Sequence, residues 1–247
     1  MSEGRSEAGY NERLFAGGWR KYLHEARFRW LAATVRELGA RSERVFELGC
    51  FDGKALTFLP ALPREYLGVD ADWEGGLSMA RQCWAGHPQL RFQLAESSAQ
   101  VAIPPDQRFD LALAFETLEH LPPHEVDGYL ALVARHLDGY LLVTVPNEKG
   151  LLFFAKHLTK LALGMEVEPY TLREFIAASS GRMRAVRRTQ HKGFDYDALV
   201  AQLAERFEVV SVAGRPLGWL PTCLGFTICI VARARSARPL PRGGGGW

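Results

Sequence analysis

The stretch LALAFETLEHLPP, Leu111 to Pro123, closes an apolar run with two carboxylates and an imidazole, Glu116, Glu119 and His120, at i, i+3 and i+4. On a helical turn that spacing sets all three side chains on one face. Two carboxylates and a histidine so close repel one another, or are costly to bury, unless something pairs with them. A divalent cation is one such partner; proton transfer to or from a substrate, or capping of the following helix, are the other uses of these residue types.

A second group lies upstream. In VFELGCFDGKAL, Val45 to Leu56, Glu47 precedes Gly49 and Gly53, glycines that allow a tight turn and close backbone approach to a ligand. About twenty residues on, YLGVD ends in Asp70, placed to accept both hydroxyls of a ribose. A pyrophosphate binder needs G-x-G-x-x-G at a helix N-terminus. Here Gly49 and Gly53 give G-x-x-x-G behind an acid, which suits a cationic, amino-acid-bearing ligand better than a diphosphate and argues against a dehydrogenase.

The elements that must position these groups are legible as alternation. Apolar, β-branched runs at 44–49, 65–70, 90–96, 109–116 and 139–146 predict strands, and helical stretches such as EGGLSMARQCWAG and PHEVDGYLALVARHL lie between most of them. Strand, helix, strand at these lengths predicts parallel strands with crossover helices, an α/β fold. Near the end, FEVVSVAG and LGFTICIVARA have only a loop between them and are expected to pair antiparallel. The helical residues 11–39 form an N-terminal extension (1–40) to the main domain (41–235), and RSARPLPRGGGGW (236–247 from Ser236) reads as a disordered tail.

In these positions together the chain resembles the class I S-adenosylmethionine-dependent methyltransferases, over roughly residues 40–235. The resemblance implies a Rossmann-like fold, a mostly parallel seven-stranded sheet ending in an antiparallel hairpin, and S-adenosyl-L-methionine as cofactor. It puts Glu47, Gly49, Cys50 and Gly53 on the first motif, and Asp70 on the ribose acid. Glu96 falls on the acid that faces the adenine amine, and Phe115 and Glu116 lie beside the methionine moiety. One departure is Phe51, where the family has its second glycine; a side chain there would crowd the amino-acid end of the cofactor.

ETLEH is similar to the Glu-x-x-Glu-His motif of two methyltransferase groups, those acting on the 2′-hydroxyl at the 3′ end of small RNAs and the ubiquinone-pathway O-methyltransferases. The first group implies a metal held by Glu116, Glu119, His120 and a later histidine, matched here by His191. Two oxygen and two nitrogen ligands suit Mg, Mn or Zn as well as Fe and Co. Such a metal would acidify a substrate hydroxyl, with Glu116, His120 and His191 as catalytic residues and a histidine taking the proton. Without a metal, the same cluster orients the substrate or serves the fold.

Composition narrows the acceptor. Hydrophobic residues make up 47% and charged residues 23% of the 247, ordinary for a globular protein. No apolar run reaches the roughly 20 residues that span a bilayer, and the N-terminus lacks a signal-peptide pattern, so a cytoplasmic location is expected. The four cysteines show no metal or disulfide spacing. Basic residues do not interleave with aromatics, and the pI is only about 8.4, so nucleic acid is disfavoured as a partner.

Charge is uneven: residues 1–150 carry 16 Lys and Arg against 21 Asp and Glu, whereas 151–247 carry 14 against 7. Within the second part, 148–192 interrupts the strand–helix rhythm. Its segment 150–164 is amphipathic with basic flanks and is expected as a packed helix, a lid over a substrate pocket, or a peripheral membrane contact. The expected reaction is O-methylation of a sugar, glycan or lipid-linked intermediate. The alternatives are a catechol- or quinone-type small molecule and a catalytically silent partner of the same fold.

Overall fold

The structure, a computed structural model, describes residues 18–162, 164, 167–189, 192–216 and 221–235, with side chains from residue 25. The expected tail, 236–247, and His191 lie outside these residues. Seven strands form one sheet: β1 (Arg44–Leu48), β2 (Glu65–Asp70), β3 (Leu90–Leu94), β4 (Phe109–Phe115), β5 (Leu137–Pro146), β6 (Phe207–Arg215) and β7 (Thr227–Ala234). Their order is β3-β2-β1-β4-β5-β7-β6.

The first five strands pair in parallel, as the alternating pattern requires. The expected antiparallel hairpin is present, from Phe207↔Ala234 to Arg215↔Thr227. Its placement was not legible: β7 slots between β5 and β6, antiparallel to both, so β6 runs with the first five strands. No helix among the described residues is long and apolar enough to cross a membrane.

The helices cover both faces. On one face α1 (Gly18–Glu37), the N-terminal helix, drives Phe28, Trp30, Leu31 and Val35 against the sheet, alongside Leu77 of α2 (Gly76–Cys83). Burial of each such side chain contributes about 2 kcal/mol, so α1 is built into the core. On the other face α3 (Pro123–His136) contributes Val126, Tyr129, Leu130 and Val133, and α6 (Tyr196–Arg206) contributes Leu199 and Leu203. Strand β4 lies between these two layers and is buried at every position, which carries its carboxyl end into the middle of the sheet edge.

The insert contains α4 (Gly150–Ala162) and α5 (Leu172–Ser179) and has a small core of its own, where Phe153 meets Ala177, Ala178, Met183 and Val186. Helix α5 starts at a capping box: Thr171 Oγ1 accepts from Glu174 N, while the Glu174 carboxylate accepts from Thr171 N. Lys149, at the root of the insert, pairs with Asp195 and Asp197 at the start of α6 and lies 4.0 Å from the centre of the Tyr196 ring.

Candidate active site

The turn after β1 alternates left-handed residues: Gly49 at φ 71°, Phe51 at φ 44° and Gly53 at φ 72°. Gly49 N and Cys50 N both donate to Val69 O, at 2.7 and 3.2 Å, and Gly53 N donates to Cys50 O at 2.8 Å. Asp70 closes the structure from the end of β2, its carboxylate accepting from Phe51 N at 3.0 Å and Asp72 N at 2.8 Å. Burial nevertheless holds the Asp70 carboxyl above its usual range, against the pull of these N–H groups.

Phe51 therefore keeps the backbone that glycine would adopt, at a cost of about 1 kcal/mol for its left-handed conformation. Its ring is directed onto the start of α2, so close to Gly76 that a Cβ there would fall 2.4 Å from it. Gly49 is confined differently: a Cβ would lie 2.0 Å from Thr117 Oγ1. The turn after β1 and the turn after β4 thus touch directly at this point.

Behind the loop, Glu47 is buried and accepts from the Tyr66 hydroxyl at 2.6 Å. Burial, outweighing that bond, lifts its carboxyl to about 8. The buried Cys50 thiol is likewise pushed up, by burial and by the neighbouring Glu47. Tyr66 was not singled out from sequence, although the β1–β2 register, Val45 opposite Tyr66, sets it on the same face as Glu47. Glu96 is exposed just beyond β3, and its N–H donates to Gln100 Oε1 at 2.7 Å.

At the end of β4 the arrangement departs from expectation. Phe115 is buried, with its ring 6.1 Å from those of Phe28 and Trp30, inside the α1 packing. Glu116 has φ 50°, left-handed for a non-glycine residue, and its N–H donates to Thr144 O at 2.8 Å. Next comes an isolated turn in which His120 N donates to Thr117 O at 3.0 Å, and α3 begins only at Pro123. Glu116, Glu119 and His120 therefore do not share one face of a helix, because the left-handed kink and the Pro122–Pro123 pair keep helix out of 116–121.

The three side chains differ in exposure. Glu119 is 0% exposed, and neither of its carboxylate oxygens has a hydrogen bond among the described residues. Burial and the charge of Glu116 hold its carboxyl well above the ordinary range, and Arg27 of α1 is the cation that opposes this. Arg188 of the insert feels the Glu119 charge in return and donates to Leu121 O at 3.0 Å. His120 is partly open; its Nε2 is 3.9 Å from Glu119 Oε1 and its ring is 5.7 Å from that of the exposed Trp73.

Among the described residues no three His, Cys, Asp or Glu side chains are grouped as metal ligands. The expected metal centre of Glu116, Glu119, His120 and His191 thus has no support among the described residues, His191 lying outside them; of the other three, Glu119 is buried and His120 is partly open. Trp73, Thr117 and Arg27 are the site residues that sequence spacing did not single out.

Comparison with known proteins settles the family. A protein-family model described as a methyltransferase domain matches residues 20–210. The chain belongs to the methyltransferase domain family. A sequence search among curated proteins finds no match. Among solved structures, magnesium protoporphyrin IX methyltransferase from Synechocystis PCC 6803, with bound SAH, is 17% identical with a TM-score of 0.58, covering 93% of this chain and 90% of that one. An S-adenosylmethionine-dependent methyltransferase from Clostridium acetobutylicum ATCC 824 is 11% identical with a TM-score of 0.61, covering 91% and 95%. The N-methyltransferase NodS from Bradyrhizobium japonicum WM9, in complex with S-adenosyl-L-homocysteine, is 13% identical with a TM-score of 0.54, covering 91% and 96%.

The methyltransferase fold so established is the Rossmann-like one the sequence implied, and the family match reaches back into α1. In this methyltransferase domain the left-handed turn, Asp70 and the Glu116–His120 turn all stand along one carboxyl edge of the sheet.

Proposed function

We propose that the protein transfers a methyl group from S-adenosylmethionine to a hydroxyl of a sugar, glycan or lipid-linked intermediate held beside His120. The observation that carries this reading is the turn at Gly49, Phe51 and Gly53, which keeps its left-handed backbone and its closure onto Asp70 although one position is a phenylalanine. Asp70 accepts two backbone N–H groups and has further lone pairs for two ribose hydroxyls. Glu96, exposed at the end of β3, is available to an adenine amine. Glu47, Gly49, Cys50 and Gly53 shape the wall nearest the amino-acid end, where a cation would draw Glu47 toward its ionised form.

When bound, S-adenosylmethionine supplies an electrophilic methyl carbon on a sulfonium, open to in-line attack by the acceptor oxygen. The chain's part is to hold that oxygen in line and take its proton. His120 is the base, partly exposed at the carboxyl edge. The imidazolium that forms would in turn draw the Glu119 carboxyl, 3.9 Å behind it and shielded from water, toward its ionised form. Glu116 contributes negative charge to the same edge, and no step runs through a metal.

Trp73, exposed and facing His120, offers a flat surface to a ring-shaped acceptor. The same ring supports the second reading, a catechol- or quinone-type acceptor. Calorimetric titration with S-adenosylhomocysteine tests the core of the proposal. Binding to the native protein, unchanged by Mn or Mg and weakened about 100-fold in Asp70→Ala, is expected. His120→Gln should keep that affinity and lower kcat about 100-fold or more. No binding by the native protein would leave a silent partner of this fold.

A further inference from the structure

The outer face of the insert is apolar. On α4, Leu151, Phe154, Leu158 and Leu161 recur at i, i+3, i+7 and i+10, one stripe of a helix, and all four are exposed, Leu151 to 73%. The Phe154 ring is 5.8 Å from that of Phe175, which joins the stripe to α5, where Leu172 (76%) and Ile176 (54%) are also exposed. Buried partners of both helices lie on the opposite side, in the small core around Phe153 and Ala178. Contiguous exposed apolar surface of this kind marks a contact site.

Charge decides what the contact is. Helix α4 contains no acid. Of the carboxylates described in the insert, Glu148 is bridged to Lys156 at 2.9 Å and Glu174 to Lys192 at 2.9 Å, which leaves Glu168. Lys160, Arg173, Arg182, Arg184 and Arg187 are all exposed. At 13 residues, α4 is about 20 Å long, too short to span a bilayer and long enough to lie along one. A face of leucines and phenylalanine, in an insert with five exposed cations that have no salt bridge among the described residues, fits an anionic lipid surface, where apolar side chains enter the acyl boundary and arginines meet headgroup phosphates.

We infer that the insert docks the protein, reversibly and in the plane of the interface, on membranes bearing anionic lipid. This does not depend on the methyl-transfer reading, since none of these side chains belongs to the site at the sheet edge.

Flotation of the full chain with phosphatidylcholine vesicles, with and without phosphatidylglycerol, tests it. The native protein should float with the phosphatidylglycerol vesicles, less so at high salt. Leu151→Glu/Leu158→Glu/Leu161→Glu should lose about tenfold or more of that partitioning, and Arg182→Glu/Arg184→Glu/Arg187→Glu several-fold, with native circular dichroism and melting in both. If the leucine variant does not fold, Leu172→Ser/Ile176→Ser replaces it. Absence of native flotation, or flotation that every variant retains, overturns the inference. A native dimer in sedimentation, dispersed by the leucine variant and indifferent to vesicles, overturns it in favour of a second copy of the chain.

Discussion

The two turns at the carboxyl edge of the sheet are built in opposite ways. After β1 and β2, the polar groups are satisfied from within: Asp70 accepts from two backbone N–H groups and Glu47 from Tyr66. After β4, Glu119 is sealed from water with neither oxygen hydrogen-bonded among the described residues, and Glu116 sits in a left-handed conformation. The first turn is finished before any ligand arrives. In the second, burial and the charge of Glu116 favour the protonated Glu119 carboxyl, as expected where charge must change during a reaction.

Gly49→Ala attacks the point where the two turns meet, and has the largest expected effect. Its Cβ would drive into Thr117 and its φ is left-handed, so a loss of about 4 kcal/mol in denaturant unfolding is expected, with both turns disturbed. Retention of native stability would mean that the two turns are independent. Asp70→Ala acts on the first turn alone, costing about 3 kcal/mol of S-adenosylhomocysteine affinity with little change around His120.

Stability against pH sharpens the comparison. The Glu47 carboxyl rises from 4.5 unfolded to about 8 folded, so its contribution is fully present below about 4.5 and is lost as pH climbs through about 8. Glu119 shifts in the same direction. Melting temperature should therefore fall between these pH values, and Glu47→Gln, which keeps an acceptor for Tyr66, should remove part of the slope, worth a few kcal/mol. Glu119→Gln should remove another part and also lower kcat. Equal slopes in all three proteins would contradict the electrostatic contrast.

The smallest effect is expected within the first turn. Gly76→Ala should cost about 2 kcal/mol because its Cβ meets the Phe51 ring, and Phe51→Gly should restore most of it, a coupling read by a double-mutant cycle.

Much of the first turn was legible in sequence because its logic is local: an acid, two glycines and a second acid at fixed separation on a strand–turn–helix pattern. The strands were legible for the same reason. The turn after β4 was misread because spacing alone suggests a helix, whereas the kink at Glu116 is held by Thr144 of β5, distant in sequence. Insertion of β7 between β5 and β6 was hidden likewise, since sheet order depends on pairings that no single segment encodes. Tyr66 had a weak signal, a phenol on the face of a neighbouring strand where a buried acid must find a donor.

Lys149 stands where the chain enters the insert, and Asp195 and Asp197, its partners, stand where the chain leaves it. Entry and exit are thus one place in space, and the segment between them carries its own small core. A segment attached in that way is an exchangeable cassette: it can lengthen, shorten or be replaced without reordering a single strand. Over evolutionary time, the insert can change while the turn that Asp70 closes stays the same.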